Sequence, residues 1–81
     1  MRTHKIVKVD WEDSASYSGW RDRSDGKRFE VAKCTSCGIL VKARRGSIGV
    51  THSIEEGQIN GTIVISRKAI TKMEVVHTFR R

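Results

Sequence analysis

Apolar and polar side chains alternate along almost the whole of this chain, and a period of two leaves extended strands as the regular structure it can form. Val7, Val9 and Trp11 alternate with Lys8 and Asp10, which predicts a first strand over about 5–12. Phe29, Val31 and Lys33 predict a second over about 29–35. Cys37, Ile39, Val41 and Ala43 share one face of a third, with Leu40 and Lys42 on the other. Ile48, Val50 and His52 begin a fourth that ends near Ile54. A fifth covers 60–66, with Ile63 and Ile65 on one face and Val64 on the other. The last covers 70–76, with Met73 and Val75 on one face; Ile65, Ile70 and Met73 are expected to meet in one core.

The breaks between these runs are equally readable. Residues 13–28 are rich in Ser, Asp and Gly and predict a long polar loop, with room for a short helical turn over about 18–24. Arg44-Arg45-Gly46-Ser47 and Glu55-Glu56-Gly57-Gln58 predict turns between strands. Arg67-Lys68-Ala69 is too short for an α-helix and fits one 3-10 turn. Gly38, Gly49 and Gly61 fall inside strand patterns, where they allow curvature or bulges. A frayed basic tail is expected at 79–81, unless Phe79 docks. The expected fold is mainly β: a single domain over 1–81, built as a small five- to six-stranded SH3-like or Sm-like barrel. A long first loop and a 3-10 turn before the last strand complete it, and curling the sheet would solve the problem of exposed edges.

At 81 residues the chain is one domain with a thin core. Trp11, Trp20, Phe29 and Phe79 are the candidate anchors. A core this small gains from self-association, so a homo-oligomer is expected. No stretch approaches the ~18 apolar residues of a membrane span. The start, Met1-Arg2-Thr3-His4-Lys5, leads into a strand pattern rather than an apolar signal region. A cytoplasmic location without membrane contact is expected.

The formal net charge of +7 is unevenly spread. Residues 1–26 hold five basic and five acidic groups, whereas Lys27, Arg28, Lys33, Lys42, Arg44 and Arg45 stand against Glu30 alone in 27–49. Lys42, Arg44 and Arg45 cluster at one turn, Arg67 and Lys68 at another. In a curled sheet two such turns can share a rim, and guanidinium groups suit phosphate oxygens. The same clusters are also what solvated turns of a soluble domain carry. Base stacking asks for exposed aromatics, and Trp20 and Tyr17 in the long loop are the candidates.

Catalytic and metal signals are sparse. Cys34-Thr-Ser-Cys37-Gly38 has the spacing of half a zinc site, but a structural zinc needs four ligands, and His4, His52 and His77 lack matching spacing. Strand alternation sets the two thiols on opposite faces, which favours two small buried hydrophobes. Asp13-Ser14-Ala15-Ser16 lacks a base within reach and reads as a loop bonding its own backbone. No phosphate-binding glycine loop is present. Neither enzymatic activity nor a cofactor is expected.

Two resemblances enter here. Ile65-Ser66-Arg67-Lys68-Ala69-Ile70, followed by Met73, resembles the second signature of Sm-like proteins, with Ser66-Arg67 where that signature has Arg-Gly. Trp11-Glu12-Asp13-Ser14-Ala15-Ser16, Gly19-Trp20, the run from Ser36 to Lys42 and the run from Ile65 to Ile70 together are similar to a family of small uncharacterised bacteriophage proteins. That pattern has Val where Cys37 stands, Pro where Ser66 stands, and often an acidic turn where Arg44-Arg45 stands. The resemblance implies a phage product acting in the host cytoplasm. It leaves the loop of Trp11, Asp13, Ser14, Ser16 and Trp20 as either a binding site or a plug closing the barrel.

The expectation is therefore a non-enzymatic binding module that engages a host protein or nucleic acid through Lys42, Arg44, Arg45, Arg67 and Lys68. An alternative is an anti-defence protein that sequesters a nucleotide signal, stacked on Trp20 or Tyr17, or inhibits a host immune enzyme. A virion or assembly component is the third.

Overall fold

The computed structural model describes residues 2–14, 19–28 and 30–81. Five strands form one antiparallel sheet: β1 (Thr3–Asp13), β2 (Ala32–Lys42), β3 (Ser47–Glu55), β4 (Gln58–Ser66) and β5 (Ile70–Arg80). Their order is β4-β3-β2-β1-β5. A 3-10 helix at Arg23–Arg28 interrupts the first loop, and a 3-10 turn at Arg67–Ala69 joins β4 to β5. The mainly β reading and the late turn thus hold. Among the described residues the sheet is open, with β4 and β5 at its two edges and no ladder between them.

Among the described residues the buried hydrophobic side chains are Val7, Val9, Ile48, Val50 and Ile65, with Trp11, Leu40, Ala69 and Ile70 packed against them. Cross-strand register explains the grouping. Ile48 pairs with Ile65, and Leu40 with Val50. Val7 and Val9 face Gly38 and Ser36 on β2. Directly opposed residues share a face, so these strands aim one apolar row into a common core. Each fully buried aliphatic side chain contributes roughly 1.5–3 kcal/mol. Gly38 shows how tightly the sheet closes over this core: a Cβ there would lie 2.7 Å from the Thr51 carbonyl oxygen and 2.8 Å from a Val50 methyl.

The sheet is curled. Arg81, just past β5, donates from its guanidinium to the Ile54 carbonyl of β3 at 2.7 Å. In a flat sheet these strands would lie three spacings apart, about 14 Å, beyond an arginine's reach. β5 carries two bulges, where register shifts against β1 leave Thr71 and Val76 unpaired, and a bulge bends the strand that holds it.

Several expectations need correction. The two strands expected over 29–35 and 37–43 are one, β2, because Ser36 and Thr35 find partners across the sheet: the Trp11 indole donates to Ser36 Oγ at 3.0 Å, and the Thr35 hydroxyl to Asp10 Oδ1 at 2.8 Å. The bulges sit in β5 and not at the strand glycines. The C-terminal tail is not frayed, since β5 runs to Arg80 and Phe79 lies against His4 with ring centroids 5.4 Å apart. Trp20 is fully exposed rather than a core anchor or a plug, and Met73 is 41% exposed rather than part of the core. Phe29 and Ser16 lie outside the described residues. Cys34 and Cys37 do face opposite sides, opposite Trp11 and Lys8 respectively, but Cys37 is exposed and Cys34 only half-buried. The expected helical turn is at 23–28, not 18–24. Among the described residues no helix is long and apolar enough to cross a membrane.

A candidate polyanion-binding cleft

Two turns meet at one end of the sheet. The β2–β3 turn is closed by Ser47, whose backbone N–H and hydroxyl both donate to the Arg44 carbonyl, at 3.0 and 2.9 Å. Gly46 supplies the left-handed conformation the turn requires, with φ of 82°. The second turn follows β4, and the Arg67 N–H donates to the Gly46 carbonyl at 2.9 Å. Pairing of Ser47 with Ser66 at the end of the β3–β4 ladder sets this contact. Two stretches about twenty residues apart in sequence are thereby locked side by side.

Between them opens a cleft of about 620 Å³. Lys42, Arg44, Arg45 and Arg67 line it, with Leu40, Val41 and Ile48 as apolar walls. Three of the lining cations come from one hairpin and the fourth from the other turn. All four are exposed, and among the described residues no acidic one lines the cleft. Among the described residues an ion pair forms elsewhere, between Lys8 and Glu74 at 3.9 Å. Four uncompensated positive charges converging on one concavity attract anions, and three guanidinium forks can bind phosphate oxygens in pairs.

The structure thus brings together Lys42, Arg44, Arg45 and Arg67. Lys68 is the next residue of the 3-10 turn; it is exposed and does not line the cleft. Trp20 is fully exposed in the first loop and does not line the cleft either. Tyr17 lies outside the described residues. In that loop the Ser14 N–H donates to Asp13 Oδ1 at 2.8 Å, the local backbone bond its composition suggests. The apolar walls were not foreseen as part of a site. Their signal was present in the alternation itself, since Leu40 and Ile48 flank the basic turn on the core-facing side.

No family model, no curated protein and no solved structure matches the chain.

Proposed function

We propose that this chain is a non-enzymatic binding module whose basic cleft takes the phosphate backbone of nucleic acid. The observation that carries this reading is the convergence of Lys42, Arg44, Arg45 and Arg67 on one cleft, with no acidic residue among the described residues that line it. Arginine favours phosphate because its planar fork donates two parallel hydrogen bonds and is weakly hydrated. The cleft holds no aromatic side chain among its lining residues, so binding would follow the backbone and not read bases. The strand, 3-10 turn, strand ending and the curl of the sheet support the finer view of the fold as an SH3-like or Sm-like barrel open at the β4–β5 seam. On the phage resemblance, the nucleic acid would be met in the host cell.

The test is fluorescence anisotropy with a labelled duplex of arbitrary sequence, titrated from ~50 to ~300 mM salt. The expected log–log slope is about −3 to −4, because each duplex phosphate neutralised contributes about −0.9. Replacing Arg67 by Gln should make the slope shallower by about one contact. Binding that is undetectable at low salt, or insensitive to salt, would remove this reading. Displacement by single nucleotides as readily as by the duplex would favour the nucleotide-sequestering alternative instead.

A further inference from the structure

We infer that β4 is the edge through which two copies of this chain pair, β4 antiparallel to β4 across a two-fold axis. Among the described residues both outer strands of the sheet have one unpaired side, yet they are different edges. β5 is blunted: Thr71 and Val76 bulge out of its ladder with β1, and it carries Lys72, Glu74 and Arg80. Bulges and charges are the devices by which natural edges avoid pairing. β4 has neither. It pairs with β3 in one constant register from Ser47↔Ser66 to Glu55↔Gln58, and its sequence, Gln-Ile-Asn-Gly-Thr-Ile-Val-Ile-Ser, holds no charged residue and no proline. Ile59, Ile63 and Val64 on it stay 53%, 39% and 62% exposed.

Charge indicates what occupies the edge. The chain carries a formal net charge of +7, so two copies repel wherever their basic surfaces meet. Along β4 they meet without a charged side chain on either. A two-fold contact is also self-complementary by construction, and antiparallel pairing of one strand with itself satisfies it. It completes the unpaired backbone groups on both copies at once and covers the apolar side chains that the thin core leaves outside. One strand pair about 30 Å long is smaller than a standard interface of about 800 Å² per partner. A contact this small makes a weak dimer, whose population rises with concentration.

Sedimentation equilibrium from about 10 µM to about 1 mM tests this. The wild-type chain should pass from monomer to twice the monomer mass and no further. The double variant Ile59→Lys/Val64→Lys should stay monomeric throughout, with a circular dichroism spectrum matching wild type. Val76→Lys, on the other edge, should dimerise as wild type does. Should the double variant unfold, hydrogen exchange of wild type decides alone: every second amide of β4, those pointing away from β3, should gain protection at the higher concentration. A wild-type chain that is monomeric at about 1 mM, a mass beyond the dimer, loss of dimer in Val76→Lys, a folded double variant that still dimerises, or β4 amides indifferent to concentration would each overturn the inference.

Discussion

The amide of Arg67 donates to the carbonyl of Gly46 at 2.9 Å, tying the turn after β4 to the turn before β3. Gly46 makes that bond from a left-handed backbone, φ 82°, and a Cβ there would meet nothing within 4 Å. Gly46→Ala would therefore cost backbone strain alone, about 1 kcal/mol. Gly57, in the β3–β4 turn at φ 75°, also has nothing within 4 Å and is the matched control. Both alanine variants should lower the denaturation midpoint similarly. Only Gly46→Ala should also weaken duplex binding, because it alone loosens the turn that holds Arg44 and Arg45 beside Arg67.

Ile63 and Ile65 stand two apart on β4, yet Ile65 is 1% exposed and Ile63 39%. Ile65→Ala opens a cavity among Val7, Val9, Ile48 and Val50 and should cost about 2–5 kcal/mol. In a chain of this size total stability is on the order of 5 kcal/mol, so the upper end of that range leaves little folded protein at room temperature. Ile63→Ala should cost about 1 kcal/mol or less, since its own side chain is already 39% exposed. Equal destabilisation in urea melts would place the core elsewhere.

Thr51 is a buried polar residue, 1% exposed, on β3. Its hydroxyl donates to the Asn60 carbonyl at 2.8 Å and accepts from the Thr62 hydroxyl at 3.0 Å. Thr51→Val keeps the shape but strands both partners, at about 1–2 kcal/mol. Thr51→Val/Thr62→Val removes the second donor as well and should lose less than the sum of the two single changes. A double-mutant cycle in chemical denaturation measures that difference.

The parts of the fold that were legible in the sequence are those where alternation runs unbroken. β3 was expected over 48–54 and spans Ser47–Glu55; β4 was expected over 60–66 and spans Gln58–Ser66; the 3-10 turn is where its length placed it. Alternation failed as a guide where polar side chains found cross-strand partners. Thr35 and Ser36 read as a break, yet their bonds to Asp10 and Trp11 keep β2 continuous. It failed again where bulges at Thr71 and Val76 shift the phase, which hid the last four residues of β5. The basic cluster was legible because its two turns flank the same β3–β4 hairpin. The full exposure of Trp20 was not, because the apolar surface of a side chain sets a tendency to be covered while only tertiary packing decides whether anything covers it.

The two tryptophans make that last point measurable. Trp11 is half-buried, packs on the core and donates its indole N–H to Ser36 Oγ at 3.0 Å. Trp20 is fully exposed. Trp20→Phe should change stability by no more than about 0.5 kcal/mol. Trp11→Phe removes both a cross-strand hydrogen bond and part of the packing beside Ile70, and should cost about 1–3 kcal/mol. Ser36→Ala isolates the hydrogen bond and should account for about 1 kcal/mol of that loss. Fluorescence separates the two residues directly. In Trp11→Phe, where Trp20 alone emits, the emission should be that of indole in water and fully open to iodide quenching. In Trp20→Phe it should be blue-shifted and partly protected, and it should move toward the exposed spectrum only as the sheet unfolds. A protected Trp20 would mean that the first loop closes over part of the sheet, and that its tryptophan belongs to the packing after all.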